Sequence, residues 1–226
     1  MTPALLVIKP RLPVTPSSAL RPHDYSFLKT TPFWIFEIGN VVQGLGFFLP
    51  QLWIPSFARA IGLPAFAGPL AVALSNLAAV FGYLLMGSLV DRFHVSVPIF
   101  VATTGSMVAV FIFWGLTTSQ PMLYCFALIW GVFGGGYAAT WSGCANALRR
   151  LGNTNLDTGM VISLMAAGKG IGAIIGGPLS ERLLEVQPWK HAHFAYGSSY
   201  GVLVVFTGVC ATLGGTAWVG RQLRLV

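Results

Sequence analysis

Residues Asp157 to Leu184 read DTGMVISLMAAGKGIGAIIGGPLSERLL, and between Asp157 and Glu181 they hold a single charged side chain, Lys169. As a helix this run is about 42 Å long at 1.5 Å per residue, more than the ~30 Å hydrocarbon core of a bilayer. Gly168, Gly172 and Gly176 recur at every fourth position, which puts three glycines on one helical face and predicts a surface for tight helix packing. Two phosphate-binding readings of Gly168-Lys169-Gly170-Ile171-Gly172 fail. No strand precedes it and the last glycine of a dinucleotide fingerprint is absent; the glycine that opens a Walker motif is also missing.

Five more apolar runs lie outward from this one: roughly 32–57, 66–90, 97–116, 122–148 and 200–219. Each is long enough to span, and none alternates with period two, so the expected fold is an all-α membrane protein of six transmembrane helices rather than a β-barrel. The breaks carry turn chemistry at Gly62-Leu63-Pro64, Ser119-Gln120-Pro121, Gly152-Asn153-Thr154-Asn155 and Pro188. Pro50 and Pro55 are expected to kink or break the outer end of the first helix. Composition agrees: hydrophobic residues make up 55% of the 226 and charged residues 8%, against about 25% in soluble domains.

The net charge of +7 does not indicate nucleic-acid binding, because the basic residues sit in short gaps between apolar runs and form no patch interleaved with aromatics. Their distribution orients the chain. With a cytoplasmic N-terminus, the inner segments hold Lys9, Arg11, Arg21, Lys29, Arg92, Arg149, Arg150, Arg221 and Arg224. The outer segments hold only Arg59, Arg182 and Lys190. Both termini are therefore expected on the cytoplasmic side. Three regions follow: a cytoplasmic segment 1–31, a six-helix domain 32–220 and a tail 221–226.

Lys169 is the most informative residue, since an ammonium mid-membrane costs at least ~2.5–3.5 kcal/mol on insertion scales. It is read as a site for an anionic group or a proton-linked switch, with a structural ion pair or an aqueous vestibule as the other reading. Asn40 and Gln43 share a face of the first helix with Glu37 and point to a bundle interior; Glu37 lies closer to the helix end. Phe47, Asn76, Tyr137 and Asn146 complete the candidates for a substrate pathway, with Trp141 a further aromatic that could line it. For the amides interhelical hydrogen bonding is the competing reading, and for the aromatics packing. Gly87-Ser88-Leu89-Val90-Asp91-Arg92 closes the second helix. Gly87 permits close contact there, Asp91 can accept from a neighbouring helix N-terminus, and Arg92 can pair with an acid or a lipid phosphate.

Cys125, Cys144 and Cys210 have no CxxC spacing, and His191 and His193 lack further ligands, so no metal and no cofactor is expected. No Ser-His-Asp or Cys-His arrangement is visible and the apolar runs carry no paired acids, so an enzyme is not expected.

These residues resemble a family. Gly87 to Arg92 is similar to the cytoplasmic loop motif of the major facilitator superfamily, in the copy after the eighth of twelve helices. Phe33-Trp34-Ile35-Phe36-Glu37-Ile38-Gly39-Asn40, running on through Gln43-Gly44-Leu45-Gly46, resembles the seventh helix of its monocarboxylate-transporter-like group. Gly170-Ile171-Gly172 with Gly177-Pro178-Leu179-Ser180 resembles the eleventh. Tyr196-Gly197-Ser198-Ser199-Tyr200-Gly201 and Phe206-Thr207-Gly208 resemble the twelfth and its approach. Leu5 to Pro13 resembles the end of the sixth helix running into the central loop. The chain thus resembles the C-terminal half of a fungal monocarboxylate-transporter-like protein, half of a twelve-helix bundle.

The resemblance implies a solute carrier of small organic anions that works by alternating access. The expected partners are membrane lipid, a small-molecule substrate, and an N-terminal half or a second copy to complete the cavity. It favours the plasma membrane over an internal one, although the physics of the spans suits either. Animal relatives use an Asp and Arg pair in the eighth helix, but Leu70 to Leu89 here is uncharged, which leaves Lys169 as the cationic candidate. The alternative function is a non-transporting fragment or a regulatory partner of a full-length carrier.

Overall fold

A computed structural model of the chain describes residues 25–151, 156–185, 193–216, 218 and 220. The 1–24 part of the N-terminal segment, the 221–226 tail, His191 and the turns at 152–155 and Pro188 lie outside the described residues.

Among the described residues eight α-helices make the six spans. The first is α1 (Thr31–Phe47) and α2 (Leu49–Ala60), parted at Phe48; the second is α3 (Ala67–Arg92). The third is α4 (Ser96–Val108), continued by a π-turn over Ala109–Trp114. The fourth is α5 (Gln120–Trp130) and α6 (Thr140–Arg150), joined by a π-turn at Gly131–Gly135 and a 3₁₀ turn at Tyr137–Ala139. The fifth is α7 (Thr158–Glu185) and the sixth α8 (Gly201–Leu213). Among the described residues five spans are long and apolar enough to cross a membrane, and α8 is a shorter apolar helix.

Local chemistry sets the ends. Proline stands in the first turn of α1, α2 and α5, where its missing N–H would have no helical acceptor. At the end of α2, Leu63 N–H bonds Ala58 O at 2.9 Å and Gly62 N–H bonds Arg59 O at 3.0 Å. That pairing needs a left-handed residue, and Gly62 supplies it with φ +80°. The first span breaks at Phe48, two residues before Pro50, while Pro55 stays inside α2 with Gly68 of α3 packed on it. The expected sixth run extends to 219; α8 itself ends at Leu213 where Gly214 and Gly215 form a turn, and the described residues 216, 218 and 220 beyond the turn are again helical.

Glycines bring the spans together. A Cβ at Gly172 or Gly176 would collide with the carbonyl oxygens of Val41 and Leu45, and one at Gly168 with Glu37 Oε1. α1 packs more extensively on α7 than any other pair of helices, with α8 on its flank. Gly82 and Gly131 do the same for the second and fourth spans, against Val132 O and Ser75 O. Such close approach replaces the hydrophobic driving force that lipid cannot supply between helices. Tyr196, before α8, donates to Phe111 O at 2.6 Å within the π-turn and packs on Gly115 and Gly201.

The buried apolar side chains form two clusters. One gathers Leu49, Ile54, Phe57, Trp114, Phe126 and Trp130 at the α2 end. The other gathers Phe27, Phe33, Met86, Ile99, Tyr137 and Met165 at the opposite end. Large side chains on α3 and α7, among them Leu77, Phe81, Leu84 and Ile174, face outward.

Candidate functional site

Lys169 lies near the middle of α7, where the two clusters meet, and is 7% exposed. Its place is dictated by its neighbours: Gly168 and Gly172 press α7 onto α1, and a Cβ at Gly44 would stand 2.8 Å from Lys169 O. The side chain is thereby directed among aromatics. Its Nζ stands 3.6 Å from the centroid of Phe47, 5.9 Å from that of Tyr137 and 5.9 Å from that of Trp141. All three lie within cation–π range, and such contacts strengthen where water is excluded. The sole ion pair among the described residues is Arg182–Glu185, at 3.2 Å on the exposed end of α7. Lys169 thus has aromatic faces around it but no carboxylate partner among them.

Backbone irregularity from two spans builds this cage. Phe47 is the last residue of α1 before the Phe48 break. Tyr137 follows the π-turn of the fourth span, and Trp141 stands four residues on, on the same face. Irregular turns inside a spanning helix are tolerated where protein or water satisfies the backbone. Tyr137 shows one such repair, its hydroxyl donating to Gly214 O at 3.1 Å where α8 has ended.

Asn40 braces the cage. Its Nδ2 donates to Met165 O at 2.6 Å and its Oδ1 accepts from Trp141 Nε1 at 3.0 Å, tying α1, α6 and α7 together. Gln43 packs beside Gly214, and its buried Oε1 has no hydrogen-bond partner; Oε2 of the buried Glu37 likewise has none. The structure therefore brings Asn40, Gln43, Phe47, Tyr137 and Lys169 into one cluster, together with Trp141.

Asn76 and Asn146 stand apart from it. Asn76 is exposed on α3, donates to Val72 O at 3.0 Å, and accepts from Gln51 Nε2 at 3.5 Å. It lines a cleft of about 370 Å³ between the first, second and fourth spans, which Phe47 also lines. Asn146 is exposed on α6 in a small recess of about 50 Å³ near Val90 and Arg150. Asp91 and Arg92 are exposed at that end, and Gly87 has open space where a side chain would stand. The three cysteines are free, and no cluster of metal-ligating side chains occurs among the described residues.

Trp130 was not among the residues singled out in the sequence. It is 2% exposed, lies near-parallel to Phe47 with centroids 6.2 Å apart, and has an unpartnered Nε1. It continues as a ladder of rings through Phe126 and Trp114 to Phe57, with centroids 5.3 to 6.1 Å apart. The signal was present in the spacing of Phe126 and Trp130, four residues apart on one helix face.

Comparison with known proteins finds relatives that are named as transporters. It is 24% identical over 191 residues to the MFS-type transporter pynF of Aspergillus niger, covering 84% of this chain and 43% of that protein. It is 27% identical over 188 residues to Monocarboxylate transporter 11 of Homo sapiens, covering 77% and 38%. With MFS transporter asaE of Aspergillus flavus it shares 26% over 232 residues, 99% of this chain and 49% of that one. No family model and no solved structure matches. The chain spans 38% to 49% of the length of these relatives, and six spans correspond to one half of a twelve-helix bundle. It is an integral membrane protein, similar to MFS-type transporters of fungi and to Monocarboxylate transporter 11.

Proposed function

We propose that this chain carries a small organic anion across a membrane by alternating access, as one half of a twelve-helix unit, with Lys169 as the contact for the anionic group. The observation that carries the reading is the buried ammonium with aromatic faces around it and no carboxylate within ion-pair distance, the nearby Glu37 carboxylate lying against Gly168 instead. A buried cation without a counter-ion is costly, and an anion that brings its own charge relieves that cost. The relatives, named as transporters, support the coarser part of the proposal. The substrate class rests on Lys169 and on the resemblance to monocarboxylate transporters.

Alternating access needs two halves that rock about a midplane site. The exposed apolar faces of α3 and α7 offer surfaces for an amino-terminal half or a second copy of this chain. In this proposal Gly87, Asp91 and Arg92 stand at the cytoplasmic rim, both termini are cytoplasmic, and the membrane is the plasma membrane.

Counterflow is the test. Proteoliposomes holding the chain are preloaded with an unlabelled organic acid and diluted into the labelled acid. The proposal expects transient accumulation of label above that in protein-free vesicles and above that in vesicles preloaded with an organic cation. Equal label in all three would contradict it and favour a non-transporting role. Chemical cross-linking in the same vesicles tests the twelve-helix unit, and monomers alone would count against a second copy.

A further inference from the structure

Lys169 and the 370 Å³ cleft are separated by one ring. Phe47 lies 3.6 Å from the ammonium and is at the same time part of the cleft wall. Trp130 stacks near-parallel on Phe47 and lines the same cleft, as do Phe48 and Tyr83, both exposed. Two amides, Gln51 and Asn76, hydrogen-bond each other weakly at 3.5 Å in the same cleft. Its volume falls in the ~300–1,000 Å³ range of sites that bury drug-sized ligands, well beyond the need of a three-carbon acid.

The chemistry of these walls selects a shape. Aromatic faces attract flat π-systems through offset stacking and edge contacts. The loosely paired amides can each exchange their partner for a polar ring substituent at little cost. The one full charge within reach is the ammonium behind Phe47. Phe47 is the last residue of α1, at the Phe48 break, and its ring packs on Phe48 and Trp130 as well as on the ammonium.

We infer that the carried anion is a planar aromatic carboxylate, its ring in the cleft against Trp130 and Tyr83 and its carboxylate on Lys169 Nζ in the place of the Phe47 face. This deepens the transport reading and rests on it only for the ligand's being carried; the binding stands or falls by itself.

Equilibrium dialysis of the detergent-solubilised full chain tests it with three radiolabelled probes: 2-naphthoate, its uncharged amide, and lactate. Naphthoate is expected to bind at least tenfold more tightly than either of the others. Tyr83→Leu, at an exposed position, is expected to weaken naphthoate threefold or more and leave lactate unchanged.

Equal binding of naphthoate and lactate would overturn the aromatic class while leaving an organic-anion carrier standing. Equal binding of the amide and the acid would overturn the part given to Lys169. A Tyr83→Leu protein that binds naphthoate like the wild type would overturn the placement of the ring. If no acid binds, the inference and the transport reading fall together. If naphthoate binds as expected but shows no counterflow, the inference stands and the transport reading fails.

Discussion

Alanine at Gly172 and alanine at Gly170 should shift stability in opposite directions, although the two positions are neighbours but one on α7. A Cβ at Gly172 would collide with Val41 O and would stand 2.9 Å from Leu45 N and 3.0 Å from Gly44 C. All three are backbone atoms of α1 and cannot rotate aside, so the helices must part. Overpacking of this kind costs ~1–3 kcal/mol. Against it stands the helix-propensity gain of alanine over glycine, ~0.8–1.0 kcal/mol. A Cβ at Gly170 meets nothing within 4 Å, so that variant keeps only the gain. The difference between the variants isolates the steric cost. At ~2–4 °C per kcal/mol for a chain of this size, their unfolding midpoints should lie roughly 2–12 °C apart, with Gly172→Ala the lower. Heating detergent-solubilised protein and measuring the surviving monodisperse peak on size exclusion reads the midpoint. Coincident midpoints, or a more stable Gly172→Ala, would refute the close contact of α1 with α7.

Three further outcomes follow from the contacts. Trp141→Phe removes the donor to Asn40 Oδ1 and leaves a buried amide oxygen unpaired, a loss of about 1–3 kcal/mol that should shrink sharply in an Asn40→Leu background; a double-mutant thermal series checks it. Tyr137→Phe, which removes the hydrogen bond to Gly214 O, should cost about 1 kcal/mol in the same assay. Arg182→Ala breaks the Arg182–Glu185 pair, whose side chains are 79% and 66% exposed, and should change stability by less than about 0.5 kcal/mol.

The six spans were legible because a hydrocarbon core demands length and apolarity, and both are visible in sequence. The apolar run from Phe66 to Val90 and the helix Ala67–Arg92 differ by at most two residues at either end. The π-turns after Val108 and Trp130 were not legible. An apolar residue has the same hydropathy whichever carbonyl its N–H reaches, so a run of twenty such residues does not reveal where the ladder slips. The turn that interrupts the sixth run had a signal in Gly214-Gly215, but paired glycines in an apolar run equally suit close helix packing.

The candidate site was half legible for a similar reason. Lys169 is conspicuous as a lone charge, and Asn40 with Gln43 as polar positions on an apolar helix. Which residues surround the ammonium depends on contacts 101 and 125 positions apart in the chain, those of Asn40 with Trp141 and with Met165. No local periodicity encodes such pairings. Asn76 and Asn146 have the same chemistry as Asn40, yet both are exposed: one lines the cleft, the other stands at the far end.

The account turns on Lys169 as the contact for an anion, and removal and return of its charge test that most directly. Counterflow of a labelled organic acid is measured for the wild type, Lys169→Gln and Lys169→Arg at matched protein content. The account predicts that Lys169→Gln loses accumulation at least tenfold while Lys169→Arg retains a measurable part of it. Accumulation by Lys169→Gln equal to that of the wild type would contradict it.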